Sequence, residues 1–88
     1  MSRTVVFVAD AWAMYLYWQG QDKKTLKRIN QLIEAVRREP FEGIGKPEPL
    51  IGNLSGYWSR RIDDTNRLVY RATDDEVVIV ACKHHYSD

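Results

Sequence analysis

A carboxylate, an imidazole and several guanidinium groups are distributed over the second half of this chain. Glu48 lies in a proline-rich segment, Arg60, Arg61 and Arg67 follow it, and His85 stands near the end. Together these groups have the chemistry needed to cleave RNA without a metal. A general base takes the proton of a 2′-hydroxyl, a general acid protonates the leaving 5′-oxygen, and a cation stabilises the charge that develops on the phosphate.

Glu48 is the candidate general base. It lies between Pro47 and Pro49, which fix φ on both sides and restrict Glu48 to extended geometry. Such a frame holds a carboxylate in place with little ordering cost. The alternative is that Glu48 is an exposed loop residue without a function, and the local sequence does not decide between the two interpretations.

His85 is the candidate general acid, because a histidine titrates near neutral pH. The alternative is an ordinary surface residue near the end of the chain. The pair His84-His85 could also bind a metal, but no cysteine or carboxylate cluster at ligand spacing accompanies it. The sequence therefore predicts no metal site and no cofactor.

The arginines are candidate phosphate ligands, since a guanidinium binds phosphate through a fork of donors. Side chains on a strand alternate between faces, so Arg60 and Arg61 must point in opposite directions. Only one of the two can therefore share a face with Arg67. The alternative is that these arginines form a solvated sheet face.

Aromatic residues lie near these cations in the sequence. Trp58 and Tyr70 are expected in the core, which a small domain builds largely from such side chains. Tyr86 is next to His85 and is the best candidate for a functional aromatic. Aromatic side chains with arginine can stack on unpaired bases.

Length and charge limit the classes of protein that fit. Eighty-eight residues form one small domain, residues 1–88. The chain has 13 basic and 12 acidic residues and a net charge of +1, without the basic excess typical of nucleic-acid binders. Any RNA site is therefore a local patch, and another molecule must present the RNA.

Targeting signals and disulfides are not indicated. The single cysteine, Cys82, excludes an internal disulfide and lies in an apolar run, so we expect it to be buried. The apolar stretch at residues 5–9 is too short for a signal peptide or a membrane span. A reducing cytoplasm is the expected location, with no membrane contact.

The pattern of elements predicts an α+β domain of order β-α-α-β-β-β, with both helices on one face of a mostly antiparallel sheet. Asp10 and Asp22 are the predicted helix N-caps, and Gly20 is the predicted end of the first helix. A structured loop is expected at 41–55. Strands are predicted at residues 4–9, 56–63, 67–73 and 76–82, and helices at 11–19 and 23–38.

Several segments together resemble the YoeB/Txe toxins of bacterial toxin–antitoxin modules, part of the RelE/ParE superfamily. They are long, ordered as in that family and unusual in composition. The matching segments are Tyr15-Leu16-Tyr17-Trp18-Gln19, Pro40-Phe41-Glu42-Gly43, Gly45-Lys46-Pro47-Glu48-Pro49-Leu50, Asn53-Leu54-Ser55-Gly56-Tyr57-Trp58-Ser59-Arg60-Arg61-Ile62, Arg67-Leu68-Val69-Tyr70 and the ending from Cys82 to Tyr86.

The resemblance implies a RelE-like fold and a ribosome-dependent endoribonuclease that cuts mRNA in the ribosomal A site. By position, Glu48 would be the general base, His85 the general acid and Arg67 the transition-state cation. Arg61 would help to hold the phosphate, and Tyr86 would orient the substrate or the acid. The expected products are a 2′,3′-cyclic phosphate and a 5′-hydroxyl.

The implied partners are the 70S ribosome, mRNA and a cognate YefM-like antitoxin whose C-terminal segment wraps the toxin. A homodimer is also implied. The loop carries Ile44 and Ile51 where family members often have lysines, although Lys46 remains a candidate phosphate ligand. His84, Ser87 and Asp88 also depart from the family pattern.

Two other functions stay open from the sequence. A ParE-like toxin would bind and inhibit DNA gyrase without catalysis, and the presence of both Glu48 and His85 argues against it. A decayed toxin would serve only as an antitoxin-binding partner, which the isoleucines at positions 44 and 51 keep in consideration.

Overall fold

A five-stranded mixed sheet with two helices forms the fold. The computed structural model describes residues 3–84. The helices are α1 (Ala9–Gln21) and α2 (Lys23–Arg38), and the strands are β1 (Thr4–Phe7), β2 (Glu48–Pro49), β3 (Trp58–Arg61), β4 (Arg67–Ala72) and β5 (Glu76–Ala81). The strand order is β1-β5-β4-β3-β2. Among the strands of residues 3–84, only β1 is parallel to its neighbour, β5, so the predicted antiparallel meander of the last three strands is confirmed.

Helix α1 differs from its prediction at both ends. It begins directly after Val8, whose side chain makes no capping hydrogen bond, and Asp10 lies in the first turn, so the predicted Asp10 cap is wrong. The prediction that Gly20 ends the helix is also wrong, since α1 continues to Gln21. The glycine is exposed, and its cost of roughly 1 kcal/mol relative to alanine is small enough for a helix to absorb.

Helix α2 matches its prediction. Asp22 caps it by accepting hydrogen bonds from the Thr25 backbone N–H and hydroxyl, at 3.1 and 2.7 Å. These bonds lower the pKa of the Asp22 carboxyl below its usual value, the hydroxyl bond contributing most. The apolar face of α2 is buried through Ile29, Leu32, Ile33 and Val36.

The core lies between the two helices and one face of the sheet. Its members on the strands are Leu68, Tyr70, Val77 and Ile79, which meet the apolar faces of α1 and α2. Cys82 is fully buried, as predicted. The two helices have 13 and 16 residues, and neither helix of the described range is long and apolar enough to cross a membrane.

Strand β2 was not predicted. Residues 41–55 were expected to form a loop, but Glu48 and Pro49 pair with Ser59 and Trp58 of β3. The Leu50 N–H extends this pairing with a bond to the Tyr57 carbonyl at 2.9 Å. Because β2 is the last strand of the sheet, proline is compatible with it. The pairing makes Glu48 part of the sheet.

Candidate functional site

Glu48 is held in extended geometry at the edge of the sheet. It pairs with Ser59, which in turn pairs with Val69 of β4. Its side chain is exposed. The pairing and the two flanking prolines together limit the backbone freedom of this residue. A carboxylate so placed is solvent-accessible and extends from a restricted backbone position, which suits a general base.

Arg61 and Arg67 are directly opposite each other on β3 and β4. Because side chains alternate along a strand, Arg61 shares a face with Ser59, and therefore with Glu48 across the sheet. Strand spacing and residue rise place the Cα atoms of Glu48 and Arg61 about 8 Å apart, and those of Glu48 and Arg67 about 12 Å apart. A ribose-phosphate unit fits between groups at such a separation.

Arg67 is fixed by the hairpin turn between β3 and β4. Its Nη1 donates to the Asp63 carbonyl at 2.6 Å and to the Asn66 carbonyl at 3.1 Å. Within residues 3–84, its Nε and Nη2 have no hydrogen-bond partner, although the residue is only 9% exposed. One edge of the guanidinium is therefore bound to the turn.

Arg60 lies on the opposite face of the sheet and is completely buried. Its Nε donates to the Tyr70 hydroxyl at 3.1 Å, and its other nitrogens donate to three backbone carbonyls. The carbonyls belong to Glu39, Glu42 and Ile44, at 2.6, 2.8 and 3.0 Å. This placement does not fit the phosphate-binding role predicted for Arg60, because every nitrogen is occupied inside the protein.

The loop before β2 is fastened to this buried guanidinium. Tyr70, which accepts from Arg60, donates its own hydroxyl to the Pro40 carbonyl at 2.6 Å. Burial raises the pKa of Tyr70 more than the bond from Arg60 lowers it. The prediction that Tyr70 lies in the core is confirmed, but the role of its hydroxyl as the second anchor of the loop was not predicted.

Lys46 is exposed, two residues before Glu48, and adopts φ of 52°. Gly45 precedes it with φ of 83°, and its carbonyl accepts from the Arg61 N–H at 2.6 Å. Two left-handed residues in succession turn the chain sharply into β2. Lys46 is thus on the turn that leads to Glu48, and its role as a phosphate ligand stays a prediction.

The segment after β5 returns to the same turn that binds Arg67. The His84 N–H donates to Asn66 Oδ1 at 2.7 Å, and the His84 carbonyl accepts from the Arg67 N–H at 3.0 Å. His84 adopts φ of 72°. The predicted acid His85 and the predicted aromatic Tyr86 lie outside the described residues.

Asp63 organises the turn between β3 and β4. Its carboxylate accepts from the backbone N–H groups of Thr65 and Asn66, at 2.8 and 2.6 Å, and from the Asn66 side-chain amide. Partial burial raises the pKa of Asp63, but these hydrogen bonds and Arg67 outweigh it, so the pKa is below its usual value. Residues 63–66 were predicted only to form a turn, and the contacts of the Asn66 side chain were not predicted because the sequence contains no signal for them.

Neither the groove beside α2 nor a metal cluster adds a residue to the candidate site within the described range. An open groove of about 890 Å³ lies between α2 and residues 39–44, and none of the predicted site residues within the described range lines it. Among residues 3–84, no group of three His, Cys, Asp or Glu side chains is arranged to bind a metal. The candidate site is therefore the sheet face that carries Glu48, Arg61 and Arg67.

Known proteins resemble this chain over almost its whole length. A family profile described as the YoeB-like toxin of bacterial type II toxin-antitoxin system matches residues 7–86. A protein of Mycobacterium bovis named Toxin YoeB is 60% identical over 96% of this chain and 99% of its own length.

Solved structures give the same result for the fold. The YoeB dimer from Staphylococcus aureus superposes with a TM-score of 0.90 and 45% identity, covering 98% of this chain and 100% of that chain. In the YoeB-YefM complex from the same organism the TM-score is 0.87 and the identity 44%, with the same coverage. The helices and the mixed sheet are therefore those of the RelE-like α+β fold, and the chain belongs to the family of YoeB-like toxins of bacterial type II toxin–antitoxin systems.

Proposed function

We propose that this toxin is a ribosome-dependent endoribonuclease that cleaves mRNA in the ribosomal A site and so stops translation. The observation that carries the proposal is the shared sheet face of Glu48, Arg61 and Arg67, which places one carboxylate and two guanidinium groups on the same side of the sheet. Family membership supports the same activity. The small net charge of +1 is consistent with RNA delivered by the ribosome.

The reaction follows from the roles of these groups. Glu48 takes the proton of the 2′-hydroxyl, and the 2′-oxygen forms a bond to the adjacent phosphorus. The bond from phosphorus to the 5′-oxygen breaks, and His85 gives a proton to that oxygen. The products are a 2′,3′-cyclic phosphate and a 5′-hydroxyl, and the atoms balance without water or a cofactor.

The cations act on the charge that develops between these steps. Arg67 is bound to the turn through Nη1, which leaves Nε and Nη2 to bind the non-bridging oxygens. Arg61, directly opposite on β3, and Lys46, on the turn before β2, bind the phosphate from the Glu48 side. Tyr86 orients the substrate or the acid. Arg60 takes no part in phosphate binding, because its guanidinium is occupied inside the protein.

We expect single-turnover cleavage of mRNA on programmed ribosomes to fall by about 10²- to 10⁴-fold in Glu48→Gln, because the variant has no general base. Arg67→Met should fall by at least about 10²-fold, since one transition-state donor group is removed. The matched control is Glu42→Gln, an exposed glutamate in the same loop, which should cleave at the parent rate. Equal rates for Glu48→Gln and Glu42→Gln would remove Glu48 from the mechanism.

The competing function has a separate assay. A folded parent that leaves mRNA intact but inhibits DNA supercoiling by gyrase would replace the ribonuclease with a non-enzymatic toxin. A parent inactive in both assays would indicate a decayed toxin that only binds its antitoxin.

The same proposal includes two protein partners. We expect a cognate YefM-like antitoxin, whose C-terminal segment wraps the toxin, and a homodimer of the free toxin. Support comes from the YefM complex and the dimer of the S. aureus relative. Large apolar side chains on α1, such as Trp12 and Leu16 at 47% and 46% exposure, are available for such contacts.

A further inference from the structure

The turn between β3 and β4 connects two parts of the candidate site that are far apart in sequence. Asn66 is 18 residues from His84, yet its side chain accepts the His84 N–H at 2.7 Å. The next residue, Arg67, donates its N–H to the His84 carbonyl at 3.0 Å. Both backbone polar groups of His84 are therefore bound to two consecutive residues of β4 and its turn.

The orientation of the Asn66 carboxamide is determined by its partners. Its Nδ2 donates to both oxygens of Asp63, at 3.2 and 3.1 Å, and a carboxylate can only accept. Oδ1 is consequently directed at the His84 N–H, which can only donate. The side chain has a single arrangement that satisfies both neighbours, and so it acts as a fixed link.

His84 needs such a link because of its backbone geometry. A φ of 72° is in the left-handed region, which costs a non-glycine residue roughly 1–2 kcal/mol. A conformation of this kind persists where the surrounding contacts specify it. The bond from the His84 N–H to Asn66 and the bond from the Arg67 N–H to the His84 carbonyl are those contacts.

We propose that Asn66 is a positioning residue of the toxin, which fixes the chain at His84 against the turn that binds the Arg67 guanidinium. The inference rests on the proposed function, in which Arg67 stabilises the phosphate and the residue after His84 is the general acid. Asn66 touches neither substrate nor reacting atoms. It sets the distance between the Arg67 guanidinium and His84, the residue before the proposed acid in the sequence.

The test is single-turnover cleavage on programmed ribosomes with two mRNAs, one natural and one with sulfur in place of the 5′-bridging oxygen at the A-site linkage. A thiolate leaves without protonation, so cleavage of the sulfur linkage does not need the general acid. We expect Asn66→Ala to slow cleavage of the natural linkage by about 10- to 100-fold, since misplacement by about 1 Å costs about 10²-fold. Cleavage of the sulfur linkage should slow by less than about threefold, because the base and Arg67 remain.

Thr65→Ala is the matched control. Thr65 is in the same turn and exposed, and only its backbone N–H bonds to Asp63, so the variant should match the parent on both mRNAs. Asn66→Asp is the second test variant. The new side chain keeps an oxygen acceptor for the His84 N–H, but its negative charge is repelled by that of Asp63. The cleavage rate of the natural linkage should therefore lie between those of the parent and Asn66→Ala.

Hydrogen exchange of the His84 amide gives a readout that does not depend on activity. The amide should be protected in the parent and in Thr65→Ala, and should exchange faster in Asn66→Ala. Equal slowing of both linkages by Asn66→Ala, or unchanged cleavage despite lost protection, would overturn the positioning role. A folded parent that cleaves neither mRNA overturns the proposed function itself, and the positioning role with it.

Discussion

The adjacent arginines on β3 lie on opposite faces of the sheet. Arg61 is exposed on the face of Glu48, whereas Arg60 is completely buried on the face of the helices. In the described part of the chain, no carboxylate lies within ion-pair distance of Arg60, so its charge is compensated by carbonyl and hydroxyl oxygens alone. A guanidinium suits this position because its five donors form a planar fork, which a lysine cannot reproduce.

Replacing this buried guanidinium should be costly. We expect Arg60→Met to lower the free energy of unfolding by about 3 kcal/mol, because the buried Tyr70 hydroxyl and three part-buried backbone carbonyls lose their donor while the stem of the side chain is retained. Urea denaturation at neutral pH measures the difference. Arg61→Met is the matched control and should change the value by less than about 0.5 kcal/mol, as an exposed substitution usually does. Similar losses in both variants would contradict the anchoring role of Arg60.

At the scale of elements, the loop before β2 is what brings Glu48 to the sheet. The loop is attached to Arg60 at residues 39–44 and to β3 at residues 48–50. Between these attachments, Gly45 passes close to α2. A Cβ on Gly45 would be 2.7 Å from Leu32 Cδ2 and 3.1 Å from Arg60 Cβ.

Position 45 therefore requires glycine for two reasons, the lack of space for a Cβ and the left-handed backbone. We expect Gly45→Ala to lower the free energy of unfolding by about 3 kcal/mol, since overpacking and a left-handed backbone both oppose the side chain. Gly20→Ala is the matched control, because nothing lies within 4 Å of its added Cβ and it is inside α1. The free energy of unfolding of that variant should be about 0.5–1 kcal/mol higher than that of the parent in the same urea experiment. A neutral Gly45→Ala would show that the loop can move away from α2.

The elements with strong local signals were predictable from the sequence, and those defined by distant contacts were not. Helix α2 has an apolar face and a capping aspartate in its own sequence, so its bounds were predicted correctly. Strand β2 has two residues and is a strand because it pairs with β3, ten residues further along the chain. Likewise, alternation predicted that Arg60 and Arg61 face apart, but only the strand register identifies Arg61 as the partner of Arg67.

At the scale of the whole molecule, the hydrophobic core and the candidate site lie on opposite faces of the sheet. One face meets α1 and α2 through the core, and the other carries Glu48, Arg61 and Arg67. The helix side also contains a group that links stability to pH. Cys82 is completely buried, and burial raises the pKa of its thiol from 9.0 to about 12.

The buried thiol should make the protein lose stability in alkali. The pKa of the Cys82 thiol is higher in the folded protein than in the unfolded chain. Burial of the neutral thiol therefore contributes fully to the free energy of unfolding below about pH 8.5, and this contribution is lost as the pH rises through the folded pKa of about 12. Cys82→Ala removes this titration and leaves a small, pH-independent cavity cost. We expect urea denaturation to show a constant stability advantage of the parent from pH 6 to about pH 8, which shrinks steadily from about pH 9 to pH 11. Other alkaline groups, such as Tyr70, are shared by both proteins and cancel in the difference. An advantage that stays constant up to pH 11 would mean that the thiolate is tolerated in the folded state, and that the core around Cys82 admits water.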